Sequence, residues 1–172
     1  MSKTIFNNLV RFIICIIFQV FFLKNMGYYN LAAPFPYLFI LLCLPLGISN
    51  FWLYTMGIIT GLTIDIFYDS LGIHAAACVF FCAFRIFFHN ITLDRNLFKS
   101  YITPSLTNMG FKWFASYTFL GVFFHHLMLL LLEVFSFKNF DITLLSVLLS
   151  TIFSFLLILL ISVFFYKKKS LV

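Results

Sequence analysis

Charge is the scarcest property of this chain. Only 9% of its 172 residues are Asp, Glu, Lys or Arg, against about 25% in a soluble domain, so they cannot furnish an ordinary water-facing surface. Negative charge is the scarcer sign, with Asp65, Asp69, Asp94, Glu133 and Asp141 the whole acidic set. Paired carboxylates facing a cleft are absent, as are a Ser or Cys nucleophile with a base, a His-x3-His metal pair and a glycine-rich phosphate loop. Cysteine is sparse as well: Cys15, Cys43, Cys78 and Cys82 all fall inside apolar runs. Cys78 and Cys82 share a helix face at i, i+4, but a lone buried pair without water access is a poor zinc or redox site, so all four read as packing residues. These absences predict no enzyme, no cofactor and no metal. No nucleic-acid motif is present either.

What the chain has instead is apolar bulk: 63% hydrophobic residues, 27 Phe and a mean hydropathy of +1.10. Nearly all of it lies in runs long enough to cross about 30 Å of hydrocarbon as helices. The expected fold is an all-α membrane protein, a six-transmembrane-helix bundle forming a single polytopic membrane domain over residues 1–172. The predicted helices are 5–23, 37–48, 51–68, 71–88, 113–135 and 142–166. The first could imitate a signal peptide, but Pro34 after Ala32-Ala33 and the length of the apolar run favour an uncleaved span. The second is short and contains Pro45; broken spans are tolerated where neighbouring protein satisfies the freed backbone, so it is expected inside the bundle or extended to Pro34. Residues 89–112 are more polar and read as a cytoplasmic interfacial loop, with a short amphipathic helix at 93–101.

Six spans place both termini on one side of the membrane. Lys3, Arg11, Arg95, Lys99, Lys112 and Lys167 to Lys169 lie on the terminal side, and Lys24 and Lys138 opposite. The positive-inside bias therefore makes the termini cytoplasmic, and anionic lipid accounts for the basic clusters.

The functional residues are sought where ionisable groups lie within apolar helices, because an intramembrane charge is expensive and persists where it packs, pairs or binds. Residues 61–85 hold Asp65, Asp69, His74 and Arg85 in one helical hairpin. At 1.5 Å per residue, Asp65 and His74 lie at matched depth, roughly 7 and 6 Å from the turn, whereas Arg85 lies roughly 22 Å away. An Asp65–Arg85 pair is thereby excluded, and Arg85 is expected to snorkel to the headgroups or meet Asp94. For Asp65 and His74 the readings are mutual hydrogen bonding, a polar pocket open to the outer face, a contact for a partner helix, or simple stabilisation of the turn. Asp69 and Ser70 offer a helix cap. Gly57 and Gly61, at i, i+4, form a small-residue face suited to close helix approach. His125 and His126 point about 100° apart, which suits hydrogen-bonded packing better than one metal-chelating face.

The hairpin resembles the rod shape-determining membrane protein MreD family of bacteria. The matching residues are Gly61-Leu62-Thr63-Ile64-Asp65 closing one helix and Leu71-Gly72-Ile73-His74-Ala75 opening the next, followed by Ala76 and Ala77. The resemblance implies a non-enzymatic inner-membrane scaffold of the cell-elongation machinery, binding MreC and through it MreB and the synthases of lateral peptidoglycan. It also implies a bundle like the substrate-binding membrane subunit of energy-coupling-factor transporters. The competing expectation is accordingly a vitamin-type carrier with its ligand near Asp65 and His74. Gly57, Gly61, Asp65, Asp69, Gly72, His74 and Arg85 are the residues expected to bind a partner or hold the hairpin. A homo-oligomer is compatible with this composition.

Overall fold

The computed structural model describes residues 2–26, 32–94, 96–97, 102–135 and 140–164. Among these the regular structure is helical: α1 (Ser2–Phe18) runs on through a π turn at Gln19–Leu23, and a 3-10 turn (Pro36–Leu38) leads into the single turn α2 (Phe39–Leu42). The remaining helices are α3 (Asn50–Tyr68), α4 (Ile73–Thr92), the single turn α5 (Leu106–Met109), α6 (Phe111–Val134) and α7 (Phe140–Phe164). Four of them, α3, α4, α6 and α7, are long and apolar enough to cross a membrane, and a shorter apolar stretch runs Asn8–Leu23. Their outer faces are apolar too, with Ile66 75%, Leu156 57% and Leu160 58% exposed, as lipid-facing helices require.

Sequential antiparallel packing builds the bundle. α3 lies on α4, α4 on α6 and α6 on α7. Aromatic pairs fix the α4–α6 register, with ring centroids of Phe84 and Phe124 5.2 Å apart and those of Phe88 and Tyr117 5.4 Å apart. α1 packs chiefly against the Pro36–Leu42 segment.

That segment departs most from expectation. The predicted helix at 37–48 is helical only from Pro36 to Leu42, and the chain from Cys43 to Ser49 is irregular. Pro45 is the local cause, since it has no N–H to offer the Leu41 carbonyl four residues earlier and its ring opposes continued helix. Residues 34–46 are nonetheless all buried and form the centre of the apolar core, with Tyr37, Leu38, Leu41 and Leu42 fully enclosed.

Non-helical backbone at such depth must find its hydrogen bonds within the protein, and here side chains of the surrounding helices and one backbone carbonyl provide them. Ser150 Oγ accepts from the Ala33 N–H at 3.0 Å and Ser154 Oγ from the Phe35 N–H at 2.8 Å. Gln19 Nε2 donates to the Pro34 carbonyl at 3.0 Å, and the Leu46 N–H reaches the Ile102 carbonyl at 2.9 Å. Arg85 covers the break itself. Its Nη1 donates to the carbonyls of Leu41 and Leu42, both at 2.8 Å, and its Nη2 to those of Leu44 at 2.6 Å and Pro45 at 3.2 Å. Tyr117 Oη lies 2.9 Å from Nη1, and Arg11 Nη1 takes the intervening Cys43 carbonyl at 3.1 Å. Five consecutive carbonyls thus face two guanidinium groups.

The expectation that Arg85 snorkels outward or meets Asp94 is therefore corrected. Arg85 is 1% exposed, and among the described residues its partners are carbonyl and hydroxyl oxygens rather than a carboxylate. Elsewhere α4 continues to Thr92, and α6 begins at Phe111, shortening the interfacial loop from both ends. The helix expected at 93–101 falls largely outside the described residues.

Arg85→Met should lower the stability of the purified protein by at least about 3 kcal/mol, because several buried carbonyls lose their donor at about 1–3 kcal/mol each. Arg85→Lys should recover only part of this, since an ammonium cannot fork between the 41–42 and 44–45 carbonyls. Thermal unfolding in detergent, followed by tryptophan fluorescence, reads both.

Candidate functional site

The α3–α4 hairpin owes its closeness to two glycines. A Cβ on Gly61 would stand 2.3 Å from Ala75 Cα, so backbone meets backbone there and only hydrogen fits, and one on Gly57 would stand 2.8 Å from Cys82 Sγ, which would have to shift. The small-residue face is therefore used inside the hairpin, against α4, and not offered to an external helix.

Close approach brings Asp65, in the last turn of α3, under the start of α4. Asp65 Oδ1 accepts from the His74 N–H at 3.0 Å and from Ser70 Oγ at 2.6 Å, while Oδ2 accepts from the Ala75 N–H at 3.0 Å. One carboxylate, 4% exposed, thus caps the neighbouring helix at the end where the helix dipole favours negative charge. The cap expected from Asp69 and Ser70 comes instead from the preceding helix. Asp69 is exposed and ends α3 in the left-handed region at φ 54°, and Gly72 turns the chain into α4 at φ 81°. Left-handed turns on both sides of Ser70-Leu71 let the hairpin close within four residues.

Asp65 and His74 meet through the His74 backbone, not the imidazole. The ring points into the core, where its Nδ1 lies 3.1 Å from Tyr37 Oη; the same hydroxyl lies 2.9 Å from His125 Nε2. Cys78 Sγ stands 3.9 Å from both Tyr37 Oη and His125 Nε2. His125 Nδ1 is buried without a hydrogen-bond partner among the described residues. The arrangement that gives both the His125 and the Tyr37 protons an acceptor is therefore His125 Nε2–H to Tyr37 Oη and Tyr37 O–H to His74 Nδ1.

His126 turns the other way, toward α7. Its Nδ1 donates to the Val122 carbonyl at 2.8 Å, leaving Nε2 to accept from Ser154 Oγ at 3.2 Å. The Phe35 ring sits between the two systems, with centroids 5.3 Å from His74 and 5.5 Å from His126. Gln19 closes the far side by donating to Tyr68 Oη at 2.8 Å. Among the described residues no three His, Cys, Asp or Glu side chains converge as a metal site.

The hairpin and its histidine thus come together with Tyr37 and His125, while Arg85 serves the broken segment instead. Tyr37 is what sequence reasoning missed. Its signal was a phenol immediately after Pro36 in an apolar stretch, where a buried hydroxyl requires a partner. Comparison with protein-family models, with curated proteins and with solved structures finds no match for this chain.

Asp65→Ala should destabilise the protein by about 0.5–2 kcal/mol, as loss of an N-cap does, with Asp65→Asn milder because an amide oxygen still accepts. Tyr37→Phe should cost about 1–3 kcal/mol by orphaning His74 Nδ1 and His125 Nε2. In a double-mutant cycle by detergent unfolding, Tyr37→Phe with His125→Leu should fall short of the sum of the singles, because both remove one shared bond.

Proposed function

We propose that this chain is a non-enzymatic scaffold of the bacterial rod-shape machinery, of the kind that MreD represents. In this reading it crosses the inner membrane six times, counting α1 and the broken segment 34–49, with both termini cytoplasmic and the Asp69 turn on the periplasmic side. It binds MreC and helps couple MreB to the enzymes of lateral wall synthesis.

The observation that carries the reading is the internal use of the hairpin's polar groups. Both oxygens of Asp65 accept hydrogen bonds from the hairpin itself, and His74 Nδ1 is engaged by Tyr37. A carrier would need those groups to converge on a ligand, and here they hold the protein together. What the hairpin offers outward is its turn, where Leu71 is fully exposed beside the exposed Asp69, and the apolar outer face of α3. An apolar side chain standing wholly free at a rigid turn is a natural anchor for a partner's helix or juxtamembrane segment.

Co-expression with the MreC protein of the same genome, followed by affinity purification, tests this. Wild type should co-purify with MreC, and Leu71→Glu should lose most of that yield while its thermal midpoint stays unchanged, since an exposed position contributes little to stability. Undiminished recovery of MreC with Leu71→Glu counts against the turn contact, and no recovery with wild type against the scaffold. Labelling of a cysteine placed at position 69 from outside intact cells checks the orientation.

A further inference from the structure

An open cleft lies away from the hairpin, in the wall between α1 and α7. It encloses about 720 Å³, within the range of about 300–1,000 Å³ typical of small-molecule sites. Ile14 and Phe18 of α1 and Ile161 of α7 give it apolar walls. Arg11, Ser105 and Phe39 line it as well, with the Phe39 ring beside the Arg11 guanidinium. From Arg11 to Phe18 the lining follows α1 for roughly 10 Å.

Arg11 gives the cavity its chemistry. Its Nη1 is committed to the Cys43 carbonyl and to Asn8 Oδ1, both at 3.1 Å, and its guanidinium lies 5.4 Å from the centroid of the Phe39 ring. Among the described residues its Nε and Nη2 donors have no protein acceptor and no carboxylate pairs with it. The inner edge of the guanidinium is thus anchored, leaving the outer edge as a two-donor fork of the geometry that binds phosphate oxygens. A half-buried cation at the mouth of a greasy slot in a membrane protein is complementary to one molecule class above others, a negatively charged amphiphile.

We infer that this cleft binds an anionic phospholipid, its phosphate on the free edge of Arg11 and one acyl chain lying along Ile14 and Phe18. The lipid completes the wall between α1 and α7. Hydrocarbon takes the place of the missing protein side chains there, and the phosphate supplies the counter-charge that Arg11 lacks.

Native mass spectrometry of the full-length protein, released from mixed micelles of phosphatidylglycerol and phosphatidylcholine in equal amounts, tests the inference. Wild type should retain one phospholipid, preferring phosphatidylglycerol by roughly fivefold, as expected for one cation meeting an anionic headgroup. Arg11→Gln should level that preference. Because Arg11 also holds the Cys43 carbonyl, a second pair of variants separates binding from folding. Ile14→Trp, which fills the cleft from an exposed position, should abolish retention, whereas Ile13→Trp, on the adjacent exposed position outside the lining, should leave it intact. Equal retention by Ile14→Trp and wild type, equal retention of the two lipids by wild type, or no retained lipid at all would each overturn the assignment.

Discussion

The structure depends on the meeting of two arginines with five carbonyls. Between Leu41 and Pro45 the chain abandons the helix inside a bundle where water cannot replace the lost hydrogen bonds, and the guanidinium groups of Arg85 and Arg11 take their place. The arrangement resolves two difficulties at once. A buried cation without a carboxylate needs negative partners, and freed carbonyl oxygens are dipoles with their negative ends outward; each removes the other's desolvation penalty. Because Arg85 comes from α4 and the carbonyls from the segment after α2, the same contact fixes the core segment against the central helix of the bundle.

The opposite end of that segment is held by hydroxyls and an amide. Ser150 and Ser154 on α7 take the N–H groups of Ala33 and Phe35, and Gln19 on the π turn takes the Pro34 carbonyl. Tyr37 then ties the segment to α4 and α6 through His74 and His125. The irregular stretch is thus the hub of the fold, contacted by helices from every side, with the polar residues of the interior distributed along it. The hairpin's own groups, the Asp65 carboxylate and His74 Nδ1, are engaged within the protein, and the scaffold proposal rests on that.

The hairpin obeys a second constraint, that of close approach. Gly57 and Gly61 let α3 and α4 come near enough for the Asp65 carboxylate to reach across to the first free N–H groups of α4. A residue one carbon larger at position 61 would separate the helices and leave that end of α4 uncapped. One of the chain's five carboxylates is therefore placed where a short distance gives it three donors.

From the sequence alone, hydropathy and length determined an all-helical membrane protein, and the described parts of the apolar runs at 51–68, 71–88, 113–135 and 142–166 lie almost entirely in α3, α4, α6 and α7, with 165–166 outside the described residues. These features are local, set by 3.6-residue geometry and the thickness of hydrocarbon. The placing of the hairpin's ionisable groups near its turn was legible for the same reason, since depth along a straight helix is arithmetic. Partners across the bundle were not. That Arg85 turns inward to carbonyls forty or more residues earlier, that Asp65 meets the His74 backbone while the His74 ring seeks Tyr37, and that Gly57 and Gly61 serve the hairpin itself were decided by tertiary structure. Pro45 announced a broken helix, but which side chain would answer its freed carbonyls depended on how the helices pack around it, and no periodicity in the sequence records that.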